Sequence, residues 1–219
     1  MPNVMDTGSN AIEYYKMLNR EVETYCPQSR TGWRQWLEKK HQSKQSVWLV
    51  YYTKKSHIPY ISWSEAVDEA LCFGWIDSTK KTIDDCSYMQ FFAKRKSKSH
   101  WSKINKEKVQ QLIANGLMTQ AGFDSIETAK HNGSWNMLDE VEELIIPKDL
   151  EIAFKKHNGS KEYFISLSRS ARKIILGWIL FAKRQETRKK RIDEVVKSAE
   201  QNLKPKHLRS NTTDILDSV

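Results

Sequence analysis

Asp77, Lys80, Tyr88 and Arg95 are the polar side chains whose spacing best suits a binding groove, because they fall on two segments that read as the strands of one hairpin. Same-face residues on paired strands lie within about 5 Å of each other. On that reading the four line one groove and hold an anionic or polar ligand, with Trp101 and Asn105 extending the set. The structural alternative has Asp77 pairing with Arg95 or Lys80 and fixing the hairpin register. Trp75 and Trp101 offer stacking surfaces, although a Trp that follows a helix-ending Gly is more often a core anchor. Phosphate binding is the second chemistry. Lys94, Arg95, Lys96, Lys98 and Lys103 surround Trp101, so cations for phosphates sit beside a ring for bases. Lys183, Arg184, Arg188 and Arg191 form a second cationic run, where Glu186 and Lys190 stand at i, i+4. Either run also reads as a solvated face, since charge alone specifies no partner.

Other chemistries find little material. His41, His57, His100, His131, His157 and His207 are scattered without H-x-x-x-H or H-E-x-x-H spacing, so no metal site is expected. Cys26, Cys72 and Cys86 include no C-x-x-C pair, which argues against a disulfide framework or zinc knuckle and for a reducing compartment. Cys72, between Leu71 and Phe73, reads as an inert buried thiol. Gly-x-Ser-x-Gly and Walker-type loops are absent. No catalytic residue and no cofactor is assigned.

The elements that must position these residues alternate in character. Thr31 is placed to cap a helix with Trp33, Trp36 and Leu37 on one face. Residues 46–53 are a continuous apolar and β-branched run, as in a strand covered on both faces. Residues 54–60 read as a turn. Ser62 and Glu65 form a capping-box pattern for a helix that Gly74 ends. Residues 75–81 and 87–93 then make the hairpin, turned at Asp84 and Asp85. Ser102 and Thr119 open two further helices that stop at Gly116 and Gly133. The acidic stretch 136–147 reads as a linker to a helical rear, where residues 171–182 form a helix apolar on both sides and therefore surrounded.

The chain has 219 residues, 39% hydrophobic and 11% aromatic, and a formal net charge of +9. A mean hydropathy of -0.68 argues against a membrane-embedded protein, and residues 1–25 lack the apolar run of a signal peptide. The longest apolar stretch, 174–182, falls far short of the roughly 20 residues needed to span a bilayer. The positive charge is local: residues 93–108 and 183–209 each carry +6, leaving the remainder at -3.

Residues 69–78, EALCFGWIDS, resemble the signature of the YdeI/OmpD-associated family, also described as bacteriocin-protection proteins. The resemblance continues through Lys80, Asp84, Asp85, Tyr88, Phe92 and Arg95, then Ser99, Trp101, Ser102 and Asn105. In the rear, Phe164, Leu167, Trp178, Ala182, Lys183, Arg184, Glu186, Arg188 and Arg191 resemble the family's C-terminal helical module. Together these cover roughly residues 28–200. The chain departs from the family pattern at Cys86 and Phe91, where Arg is usual, and at Lys94, Arg169 and Gln185, where Pro is usual, which weakens an Arg-cluster anion site on the hairpin. The resemblance implies a small cytoplasmic bacterial protein associated with protection against bacteriocins, with no reaction attached.

The resulting expectation is an α+β fold, a small antiparallel sheet of three or four strands packed by helices and followed by a helical C-terminal module. Its organisation is an N-terminal extension with a helix over 1–27, an α+β domain over 28–135, an acidic linker over 136–147, the helical module over 148–209 and a frayed tail over 210–219. The expected function is non-enzymatic binding of an anionic ligand or a protein partner, without membrane insertion. Nucleic-acid binding through the two basic segments is the alternative, and a small-molecule or enzymatic site at the hairpin face is the third reading.

Overall fold

The computed structural model describes residues 22–53, 56 and 61–209. The helix expected within 1–27, the turn at 54–60 and the tail at 210–219 therefore lie wholly or largely outside the described residues. The chain divides into two compact units, residues 1–136 and 137–219.

In the front unit, strand β1 (Thr24–Tyr25) leads through helix α1 (Arg30–Lys40) to strand β2 (Ser46–Tyr52) and helix α2 (Trp63–Cys72). The hairpin β3 (Trp75–Thr82) and β4 (Ser87–Lys94) and helices α3 (Lys103–Ala114) and α4 (Gln120–His131) follow. The strand order is β1-β2-β4-β3. β4 is antiparallel to both β2 and β3, while the two-residue β1 pairs parallel with β2. The fold is α+β, and the parallel edge strand is an addition to the expected antiparallel sheet, since two residues carry no readable period.

β2 is covered on both faces, as its unbroken apolar run requires. Val47, Leu49 and Tyr51 join the main core with residues of α1 to α4, while Trp48 and Val50 pack with Met89 on the other face. Trp33, Trp75 and Trp101 are among the largest fully buried side chains, and burying such rings supplies much of the apolar driving force. The cap of α1 is Ser29 rather than Thr31. Ser29 is extended and its Oγ accepts from the Gly32 amide at 3.1 Å, which draws Thr31 into the first turn. The capping box at Ser62 and Glu65 forms as its spacing dictates. In the hairpin turn, the Asp84 carboxylate accepts from the Cys86 amide at 2.8 Å.

One corner of this unit is built on missing side chains. Gly74 has φ +70, and a Cβ there would lie 2.8 Å from the Ala121 carbonyl oxygen. A Cβ on Gly122 would overlap the Cys72 carbonyl oxygen. The same carbonyl accepts from the Thr119 hydroxyl at 2.6 Å. The α2–β3 corner and the start of α4 thus meet backbone to backbone.

The rear unit contains helices α5 (Asp139–Glu142), α6 (Lys148–Phe154), α7 (Ser160–Ser166), α8 (Arg169–Leu180) and α9 (Gln185–Glu200), closed by a 3-10 turn at Lys206–Leu208. Leu150, Phe164, Ile175, Ile179 and Val196 centre its core. Two expectations are corrected here. The acidic stretch is not all loop, because Val141 is buried and pulls its neighbours into α5. Helix α8 is not surrounded: Ile174 and Phe181 are 49% and 41% exposed. Among the described residues no helix is long and apolar enough to cross a membrane.

Candidate anion-binding site

At its open end, β4 runs into a loop that carries Arg95 and Trp101. The Arg95 amide donates to the Gly74 carbonyl at 2.9 Å, tying this loop to the glycine corner. Further along, the Asn132 side chain donates to the Ser97 carbonyl at 2.7 Å. Trp101 is only 1% exposed, and its ring packs against Trp135 with centroids 4.9 Å apart. The Arg95 guanidinium lies 3.8 Å above the Trp101 ring, and its Nη1 donates to the His100 carbonyl at 2.9 Å. One face and one corner of the guanidinium are therefore fixed.

Its remaining edge makes no hydrogen bond. Nε and Nη2, the pair of donors that grips a carboxylate or phosphate in parallel, are buried and have no hydrogen-bond partner. Burial pushes the Arg95 pKa down to about 10, with the more distant Asp77 charge acting the other way. The group is still a cation at neutral pH. Arg95 as a whole is part-buried, but two buried donors without an acceptor are costly.

Arg95 also lines a cavity of about 380 Å³. Phe73 and Trp101 give it aromatic walls, Lys94 and Lys96 add cations, and α4 contributes Asp124, Ser125 and Thr128. The Lys94 ammonium donates to the Gln42 carbonyl at 2.8 Å. His41 stands beside Phe73 with ring centroids 5.1 Å apart.

The hairpin residues do not gather around this cavity. Asp77 Oδ2 accepts from Trp63 Nε1 at 2.9 Å and from Gln90 Nε2 at 3.1 Å. Gln90, 5% exposed, also donates to the Ser78 carbonyl at 2.8 Å, inside the irregularity that shifts register between Asp77 and Lys80. Asp77 therefore joins the bulge to the start of α2, and the pairing with Arg95 or Lys80 does not form. The Lys80 ammonium sits 4.0 Å above the Tyr88 ring, and Tyr88 stacks on Tyr51 at 4.9 Å. Tyr88 and Arg95 are seven residues apart along one chain direction, about 23 Å of extended backbone. That separation places them at opposite ends of the sheet. Asn105 contributes its amide to the Ser102 cap at 3.3 Å and is not among the cavity residues.

The cations considered for nucleic acid divide similarly. Lys96, Lys98, Lys103, Lys183 and Arg184 are exposed. Arg188 instead grips Asp149 through two bonds of 2.6 and 2.9 Å. Arg191 donates to the Trp178 carbonyl and lies over its ring at 5.1 Å. Trp101, buried beneath Arg95, has no free face for a base. Lys190 and Glu186 do pair, at 2.7 Å. Cys72 is fully buried and burial pushes its thiol up to about 11, as suits an inert side chain.

Two features were not anticipated. Glu69 is 2% exposed and receives Arg30 at 2.5 Å and Arg34 at 2.8 Å. Arg34 continues to the Leu117 carbonyl at 3.0 Å. The available signal was a lone carboxylate on the apolar face of α2, opposite two Arg at i, i+4 on α1. The α4 wall of the cavity had no such signal, because only the glycine corner brings it there.

Comparison with known families divides the chain in the same two places. Residues 143–202 match the family described as Bacteriocin-protection, YdeI or OmpD-Associated. Residues 25–125 match a domain of unknown function, DUF8412. The resemblance read over residues 28–200 thus has its family match in the rear unit, and the front unit matches a separate family. No curated protein and no solved structure matches the chain.

Proposed function

We propose, starting from the match of residues 143–202 to the YdeI/OmpD-associated family, that the chain is a binding protein rather than a catalyst, holding a small anion at the Arg95 cavity of its front unit. One observation carries this reading: Arg95, fixed by Trp101 and the His100 carbonyl, lines the cavity and has two donors, Nε and Nη2, without a hydrogen-bond partner. An anion there supplies two charge-assisted bonds. Phe73 and Trp101 give the mixed apolar and polar lining usual for small-molecule sites. We place this activity in protection against bacteriocins, following the family's description, and in the cytoplasm, following three cysteines without a C-x-x-C pair.

The test is thermal unfolding of the full chain in inorganic phosphate against chloride at matched ionic strength. Phosphate raises the wild-type Tm, and Arg95→Gln abolishes the rise. Arg95→Lys keeps the charge but loses the fork and the stack; about 1.5–3 kcal/mol for a charged hydrogen bond makes its affinity roughly 10- to 100-fold weaker. Equal stabilisation of wild type and Arg95→Gln contradicts the proposal. Substrate turnover lost on Arg95→Gln contradicts its non-catalytic part.

The nucleic-acid reading draws support from the exposed cations Lys96, Lys98 and Lys103. The buried Trp101 and the engaged Arg188 and Arg191 weigh against it.

A further inference from the structure

The cavity has two poles. Arg95, Lys94 and Lys96 reach it from the end of β4, while Asp124, Ser125 and Thr128 reach it from α4. A site built only for a bare anion gains nothing from a carboxylate in its wall, because like charges repel. Resting on the anion reading above, we propose that the ligand is a small phosphate or carboxylate that also carries an ammonium or hydroxyl group, with the anion on Arg95 and the donor on Asp124.

The local geometry supports that polarity. Asp124 Oδ1 accepts from Gln120 Nε2 at 2.8 Å, which orients the carboxylate while leaving acceptor capacity for a ligand. The Thr128 hydroxyl donates to the Asp124 carbonyl at 2.8 Å, so it too presents lone pairs rather than a free proton. Asp124 and Thr128 therefore offer acceptors on the α4 side, while Arg95, Lys94 and Lys96 offer donors from the end of β4. A ligand matching both ends needs an anionic group and a donor in one molecule.

Size narrows the class further. Liquid water occupies about 30 Å³ per molecule, so a cavity of about 380 Å³ corresponds to roughly a dozen waters. That is room for a metabolite-sized ester or amino acid. With Arg95, Lys94 and Lys96 against Asp124, the lining has excess positive charge, which favours a ligand whose anionic end outweighs its cationic one.

The experiment is isothermal titration of the full chain with four probes: inorganic phosphate, glycerol 3-phosphate, O-phosphoethanolamine and β-alanine. The last separates a carboxylate source from a phosphate source. Glycerol 3-phosphate or O-phosphoethanolamine, or β-alanine if the anion is a carboxylate, binds at least tenfold more tightly than inorganic phosphate. Asp124→Asn weakens the ammonium-bearing ligands about tenfold and leaves inorganic phosphate within about twofold. Because Asp124 is exposed, this variant leaves the core intact. If inorganic phosphate binds as tightly as the other probes, or if Asp124→Asn weakens all of them alike, the two-pole inference is overturned while the anion site stands. If no probe binds, or Arg95→Gln changes nothing, the anion reading fails and takes this inference with it.

Discussion

At the scale of single residues, the front unit handles two buried charge problems differently. Glu69 is answered in full, with Arg30 and Arg34 both on its carboxylate. Arg95 is answered in part, by a π face and one carbonyl, and its two unpartnered donors are the basis of the proposed binding role. Removing one partner of a buried ion pair typically costs about 3–5 kcal/mol. Water reaches Arg30 and Arg34, whose side chains are 39% and 26% exposed, so Glu69→Gln is expected to cost nearer 2 kcal/mol in chemical denaturation. A loss below about 0.5 kcal/mol, the scale of ordinary surface changes, contradicts the structural role. Arg95 and Trp101, a cation and an aromatic side chain near a strand end, do meet in the structure. Asp77, Lys80 and Tyr88 do not line the cavity with them, and strand spacing already separates Tyr88 from Arg95. An odd separation such as 88 to 95 cannot place two side chains on the same face of one regular strand.

Elements carry the site through contacts that have no side-chain signature. The cavity's α4 wall is where it is because Gly74 and Gly122 let two backbones touch. Gly122→Ala is therefore expected to destabilise the chain by about 1–3 kcal/mol, the range for overpacking, and to weaken anion binding as α4 moves away. Unchanged stability and affinity would falsify that dependence. In the rear unit, Arg188 hydrogen bonds hold the Asp149 carboxyl below its ordinary value of 3.8. A depressed pKa contributes stability that is present above the unfolded value and is lost as pH falls through the folded one. Asp149→Asn is thus less stable than wild type at neutral pH, and the difference closes as pH falls below 3.8. A gap that persists unchanged into acid contradicts this pairing. Among elements, β2, the hairpin and the capped helix α2 were readable because each has a strong period or cap. The edge strand β1 is too short for a period, and α5 is anchored by one apolar residue within an acidic run.

For the whole molecule, net charge was the most visible quantity and the least specific. The +9 resolves into two segments of +6 on a remainder of -3, and those segments fall in different units, each with its own core. Within them, cations serve different purposes: Arg188 and Arg191 bind the protein itself, several Lys face solvent, and Arg95 lies on Trp101 with two buried donors that have no partner. Charge counting cannot separate these roles, because they depend on which acceptors the fold brings near each side chain. A nitrogen–proton NMR titration of all the arginine Nε–H groups in the full chain, with inorganic phosphate added at constant ionic strength, reads every role at once. The account predicts a saturable shift of the Arg95 Nε–H resonance, lost in Arg95→Lys, with Arg188 and Arg191 unmoved. An Arg95 resonance that stays fixed while other arginines shift would contradict it.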